Sequence, residues 1–194
     1  MAPPLIFVRH GETDWNVAGR LQGQTDIPLN AKGRDQADAV GRDLAKAFPN
    51  LSGHAFVASP LSRAADTMRR VRTGLGLDPD AFTLDDRLKE MTFGRWEGLT
   101  FADIRAREPK LMKARDADRW GHRPPEGESY EDVAARFQAL LDDLDGRPAV
   151  LVSHGGVARA ALALIGGGDR EKLAHMHIQQ GRALVIENGG WRWA

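Results

Sequence analysis

Three short segments, far apart in the chain, carry the residue types that handle phosphate. Arg9-His10-Gly11 closes the apolar run Leu5-Ile6-Phe7-Val8. Ser59-Pro60-Leu61-Ser62-Arg63 closes Ala55-Phe56-Val57-Ala58, and Ser153-His154-Gly155-Gly156 closes Ala149-Val150-Leu151-Val152. Imidazole is a nucleophile or proton carrier near neutral pH, guanidinium is a planar fork for phosphoryl or carboxylate oxygens, and glycine lets a backbone N–H approach a ligand. Arg-His-Gly alone specifies little, and one such histidine more often serves structure than catalysis. The repetition is what points to a site, because His10 and His154 each end an apolar run and each precede a glycine. Two His, two Arg and a helix N-terminus make a pocket suited to a dianionic phosphoryl group.

The elements that must position these residues follow from periodicity. Continuous apolar runs that end in polar residues predict strands buried on both faces of a parallel sheet. Ala37, Val40, Leu44 and Ala47 recur at helical spacing, as do Leu61, Ala64, Met68 and Val71, and then Val133, Phe137, Leu140, Leu141 and Leu144. Val157, Ala161 and Leu164 predict a further helix, stopped by Gly166-Gly167-Gly168. Ser59 before Pro60 predicts an N-cap with Pro at the first helical position, and Thr100…Asp103 and Ser129…Asp132 predict capping boxes. Near the C-terminus, Ala183–Ile186 and Trp191–Trp193 flank Asn188-Gly189-Gly190, which predicts a hairpin or edge pair. The expected fold is an α/β three-layer α/β/α sandwich with a mostly parallel central sheet and an antiparallel C-terminal strand. Ligands of such sheets sit outside the carboxyl ends of the strands, where the three polar segments would meet. Residues 106–128, with Pro109, Pro124 and Pro125, read as an irregular excursion rather than a linker. Residues 1–194 are expected to be a single domain in which 99–125 act as a lid.

Composition narrows the function. With 194 residues, 42% apolar, the chain is long enough for one domain that buries about 70% of its unfolded surface. It has no cysteine, which removes disulfides, thiolate zinc and thiol catalysis. Its 27 basic and 27 acidic residues balance, which argues against a nucleic-acid partner. No apolar run approaches the ~20 residues of a membrane span, and Met1-Ala2-Pro3-Pro4 meets the first strand too soon for a signal sequence, so a cytoplasmic protein is expected. Of the 27 cations 21 are Arg, and apart from Arg9 and Arg63 they are expected on the surface or at most in contact with the lid. Trp191 and Trp193, expected to be exposed, either mark an edge-to-edge homodimer contact or cover the end of the sheet.

Leu5 through Asn16, with the core Arg9-His10-Gly11-Glu12-Thr13, resembles the opening signature of the histidine phosphatase superfamily, the phosphoglycerate mutase-like proteins. Pro28-Leu29-Asn30 to Ala37, Ser59 to Ala64, Leu88-Lys89-Glu90 with Phe93 to Gly98, Glu126 to Ser129, and Ser153 to Gly156 match in the expected order. The resemblance implies a phosphomonoester hydrolase working through a phosphohistidine on a small phosphorylated metabolite, with no metal or other cofactor. It implies His10 as nucleophile, Arg9, Arg63, His154 and the Gly155 N–H as phosphoryl ligands, Asn16 as an uncharged ligand, and Glu90 as proton donor and then base. Gln22 and Gly23 would line the entrance, and Glu97 is a weaker acid candidate that serves equally well to position a loop. His175 and His177 alternate as strand residues do and invite a metal reading, but no third ligand has suitable spacing. Two other functions remain to be weighed. A phosphoglycerate mutase would carry an Arg pair within the 99–125 region and Asn-Ser-Leu-Arg where this chain has Gly156-Val157-Ala158-Arg159; neither feature is present. A domain that binds a phosphorylated ligand without turnover would not need Glu90. Release of p-nitrophenol from its phosphate ester separates binding from catalysis.

Overall fold

A computed structural model describes residues 4–187 and 189–194. In chain order its elements are β1 (Leu5–Arg9), α1 (Asp14–Val17), α2 (Ala31–Ala47), β2 (Ala55–Ala58), α3 (Ser62–Gly74), β3 (Thr83–Leu84), α4 (Phe101–Arg107), α5 (Pro109–Ala117), α6 (Tyr130–Leu144), β4 (Ala149–Ser153), α7 (Gly155–Ile165), α8 (Arg170–His175), β5 (Ala183–Glu187) and β6 (Gly190–Trp193), with 3₁₀ turns at Asp86–Leu88 and Gly94–Trp96. The six strands lie in the order β3-β2-β4-β1-β5-β6. The first four are mutually parallel, β5 pairs antiparallel with β1 and β6 antiparallel with β5 as the expected hairpin requires, and the two-residue β3 is the strand that the patterning does not mark.

The two faces separate the residues of each strand, as the apolar runs predict. Ile6, Val8, Phe56, Ala58, Val150 and Val152 pack with Val40, Leu44, Ala64, Met68 and Val71 of α2 and α3. Leu5, Phe7, Val57 and Leu151 pack with Val133, Phe137, Leu140, Val157 and Leu162 of α6 and α7. Both capping boxes form, Thr100 with Asp103 and Ser129 with Asp132. Because β4 lies between β1 and β2, in the register Arg9↔Ser153 and Ala58↔Val152, the carboxyl ends of three parallel strands bring His10, Ser59 and His154 to one sheet edge.

Four local expectations need correction. Ser59 does not cap α3. That helix starts at Ser62 with Leu61 in the N-cap position and no side-chain cap, because the Ser59 hydroxyl is used by His154 Nε2 at 2.8 Å and the Leu61 N–H at 3.3 Å. Residues 106–128 are less irregular than expected: α4 and α5 occupy much of the segment, and Ile104 and Met112 join Leu21 and Trp96 in a small core of their own. The pattern hides α5 because its buried positions are Met112 and Arg115, one of them charged. His175 is the last residue of α8 and His177 follows it in a loop, so the pair does not alternate on a strand. Trp191 is exposed, but Trp193 packs against the core and stands edge-on to Trp191. The predicted turn is consistent with the pairing Glu187↔Gly190, although Asn188 itself lies outside the described residues.

Candidate active site

At the carboxyl edge of β1, β2 and β4 a cavity of about 490 Å³ opens. Arg9, His10, Asn16, Gln22, Gly23, Arg63, Glu90 and Gly155 all line it, whereas His154 stands behind His10, wholly buried. The two imidazoles lie 5.0 Å apart between ring centroids, tilted by 58°.

His10 is held from three directions. Its N–H donates to the Ser153 carbonyl at 2.9 Å, and its own carbonyl accepts from Gln180 Nε2 at 3.1 Å. Its Nδ1 lies 2.7 Å from the Gly11 carbonyl oxygen. A carbonyl can only accept, so Nδ1 carries the hydrogen and Nε2 keeps the lone pair. Burial, followed by the charges of Arg63 and Arg9, holds the His10 pKa well below the usual 6.5, so the ring is neutral at pH 7. His154 is shifted in the same direction, first by burial and then by Arg63 and His10. Its Nε2 meets Ser59 Oγ, and its Nδ1 has no hydrogen-bond partner among the described residues.

The cations are anchored by backbone oxygens. Arg9 donates from Nη1 to Ile178 O at 2.7 Å, and burial lowers its pKa to about 10, still cationic at neutral pH. Arg63, buried at the start of α3, donates to the carbonyls of Thr25 at 2.9 Å and Gly23 at 2.7 Å. Glu90 follows the Asp86–Leu88 turn, which is tied to β4 by the Ser153 hydroxyl donating to the Leu88 carbonyl at 2.6 Å. The Glu90 carboxylate accepts from the Gly156 N–H at 3.0 and 3.2 Å. A Cβ at 156 would meet the end of that carboxylate, so a larger residue there requires the Glu90 side chain to shift. Asn16 closes a capping box with Thr13, and its Oδ1 also accepts from Gln180 Nε2 at 3.1 Å.

Sequence reasoning misses several residues of this site. Gln180 and Thr67 tie the His10 segment to the β5 approach and to α3; Thr67 Oγ1 accepts from the Gly11 N–H at 3.2 Å and donates to the Arg63 carbonyl at 2.7 Å. Arg20 and Arg159, expected at the surface, and Arg115 and Arg119, expected as solvated or lid cations, all line the cavity, as do His175 and His177. Nothing in the spacing of these four marks them, since they come from a loop, α5, the turn after α5 and α7. Glu97 turns out to position a loop: its carboxylate accepts from the N–H groups of Gln24, Thr25 and Phe93 and the hydroxyls of Thr25 and Thr92. Among the described residues no group of three or more His, Cys, Asp or Glu is placed to hold a metal ion.

The sequence profile of the histidine phosphatase superfamily (branch 1) matches residues 5–194. The chain belongs to this superfamily. It is 40% identical over 176 residues to a glucosyl-3-phosphoglycerate phosphatase of Mycobacterium tuberculosis, a match covering 83% of this chain and 74% of the relative. A solved mycobacterial glucosyl-3-phosphoglycerate phosphatase in complex with VO3 superposes with a TM-score of 0.81 at 33% identity, covering 100% of this chain and 97% of the other. A 2,3-bisphosphoglycerate-dependent phosphoglycerate mutase of Gloeobacter violaceus is 34% identical over 190 residues, 94% of this chain and 81% of the mutase. With its phosphatase relatives, this histidine phosphatase is a phosphomonoester hydrolase of the α/β fold expected. No helix among the described residues is long and apolar enough to cross a membrane.

Proposed function

We propose that the chain hydrolyses a small phosphate monoester, a phosphorylated sugar or sugar acid like the substrates named for its phosphatase relatives, through a covalent phosphohistidine at His10. The observation that carries this reading is the 2.7 Å contact from His10 Nδ1 to the Gly11 carbonyl, which leaves a neutral Nε2 facing a cationic cavity. The Nε2 lone pair attacks phosphorus, the ester P–O bond breaks, and its electron pair stays on the departing oxygen, which takes a proton from Glu90. Arg9, Arg63 and the Gly155 N–H at the start of α7 hold the equatorial oxygens, Asn16 adds an uncharged contact, and His154 packs behind His10 rather than in the cavity wall. Water then gives a proton to Glu90 and attacks phosphorus, and the P–N bond breaks to return the lone pair to Nε2.

The test is turnover of p-nitrophenyl phosphate together with rapid acid quench. Wild type should release p-nitrophenol and accumulate acid-labile phosphoenzyme, and His10→Ala should lose both. Survival of turnover in His10→Ala overturns the nucleophile, and no release by wild type favours ligand binding over hydrolysis.

A further inference from the structure

None of residues 28–37 lines the cavity. They grip the backbone beside the nucleophile instead. The first turn of α2 lies directly against Gly11 and Glu12: a Cβ on Gly11 would collide with the Gly33 carbonyl, and a Cβ on Gly33 with the Glu12 carbonyl. Asn30, the N-cap of α2, donates its backbone N–H to the Glu12 carbonyl at 3.0 Å and its Nδ2 to the Glu12 carboxylate at 3.1 Å. In the next turn, Gln36 Oε1 accepts the Glu12 N–H at 2.8 Å. Gln36 is half-buried, and its side chain lies beside Gly181, the residue after Gln180.

The Glu12 N–H and the Gly11 carbonyl belong to one peptide unit. That unit is planar and trans, so its two polar groups point in opposite directions. Gln36 therefore holds one end, and His10 Nδ1 meets the other at 2.7 Å. The bond to Gln36 fixes the direction of the carbonyl. A carbonyl fixed on Nδ1 keeps the hydrogen there, because a lone pair on that nitrogen would face the lone pairs of the oxygen. Hydrogen bonds in series also polarise one another, so a peptide that donates at its N–H accepts more strongly at its carbonyl. As Nε2 bonds to phosphorus the ring becomes cationic, and a stronger acceptor at Nδ1 stabilises that state. Gln180 and Thr67 hold the preceding unit, through the His10 carbonyl at 3.1 Å and the Gly11 N–H at 3.2 Å. Apart from the His10 ring, Gln36 is the one side chain among the described residues bonded to the unit that faces Nδ1.

We infer that Gln36 is a positioning residue for the nucleophile, holding the Gly11 carbonyl against His10 Nδ1 from outside the cavity. This rests on the phosphohistidine reading for its catalytic use, but the protonation site of His10 can be measured without turnover.

The experiment compares wild type with Gln36→Met and Gln36→Ala, which lack the acceptor, and with Gln36→Glu, which keeps one. Because Gln36 is half-buried, Gln36→Ala removes the acceptor without hollowing the core. Nitrogen-15 NMR at pH 8 reads which ring nitrogen of His10 carries the hydrogen, with His10→Ala assigning the signal. Rapid quench with p-nitrophenyl phosphate reads the rate of phosphoenzyme formation, and calorimetry reads the affinity for inorganic phosphate. In wild type the hydrogen should sit on Nδ1, and the Met and Ala variants should admit the Nε2–H form. Their phosphoenzyme should form about tenfold more slowly, the lower end of what loss of an outer partner costs at histidine metal sites. Phosphate affinity should change by no more than about twofold, because Gln36 does not reach the cavity, and Gln36→Glu should restore most of the rate. A hydrogen on Nε2 in wild type overturns the role, as does the wild-type tautomer in the Met and Ala variants. So does a loss of phosphate affinity as large as the loss of rate, or a Glu variant no faster than Ala. Absence of phosphoenzyme in wild type, with the NMR pattern as expected, overturns the hydrolase reading and leaves the grip of Gln36 on His10 standing.

Discussion

Glu90 must give up a proton and then recover one, and in the structure its carboxylate is parked on the Gly156 N–H at the mouth of the cavity. If it protonates the departing oxygen, its value depends on how badly that oxygen needs a proton. Glu90→Gln should therefore lower kcat/KM for an alkyl phosphate such as glycerol phosphate by about 10²–10⁴-fold, and for p-nitrophenyl phosphate far less, because nitrophenolate leaves unaided. Equal losses on the two substrates would reject the proton-donor role. At this scale the sequence was partly readable. His10, Arg63 and His154 stand at strand ends or helix starts, where residue type and position coincide. Arg115, Arg119 and Arg159 could not be told from solvated arginines, because cavity walls made of separate elements leave no local spacing.

Among elements, the loop of residues 23–25 has the largest leverage on the phosphoryl clamp. Arg63 is held by the carbonyls of Gly23 and Thr25, and that loop is in turn held by the Glu97 carboxylate, which also gathers Thr92 and Phe93 beside Glu90. Glu97 thus fixes both sides of the site while touching neither the phosphoryl group nor His10. Gly23, at φ +52° and with no room for a Cβ against Glu97, closes the same contact. Glu97→Ala should lower kcat/KM for p-nitrophenyl phosphate by about 10- to 100-fold through loss of orientation, with Glu97→Gln recovering part of it. An unaltered kcat/KM in Glu97→Ala would show that Arg63 is held without this loop. The strands and long helices of the sandwich were legible because burial on two faces writes a continuous apolar run and burial on one face writes a 3.6-residue stripe. Helices α1, α5 and α8 write neither: α1 has no buried residue, and α5 buries an arginine beside Met112.

At the scale of the whole molecule, a chain with zero formal charge keeps two neutral imidazoles buried beneath a cluster of guanidiniums. Both His10 and His154 have pKa values well below 6.5 in the folded protein, chiefly through burial, and His54, His122 and His177 are lowered to a lesser degree. In the unfolded chain these rings take up protons as pH falls through about 6.5, while the folded protein resists. The stability they contribute is therefore complete above that pH and is lost as pH falls from 6.5 towards their folded values, at up to about 1.4 kcal/mol per pH unit for each fully buried ring. The carboxylates act lower on the scale. Asp85 is lowered chiefly by its Arg87 hydrogen bond and Asp103 chiefly by the Thr100 N–H, so their contribution begins to fade only near the ordinary value of 3.8. Thermal melts from pH 8 to pH 4.5 should give a flat midpoint down to about pH 6.5 and then a steady fall well before carboxylates titrate. His154→Asn, whatever its stability at pH 8, should show a shallower fall, because one of the two buried rings is gone. A midpoint that stays level from pH 8 to pH 5, or a slope unchanged in His154→Asn, would mean that the buried histidines do not set the acid stability of this fold.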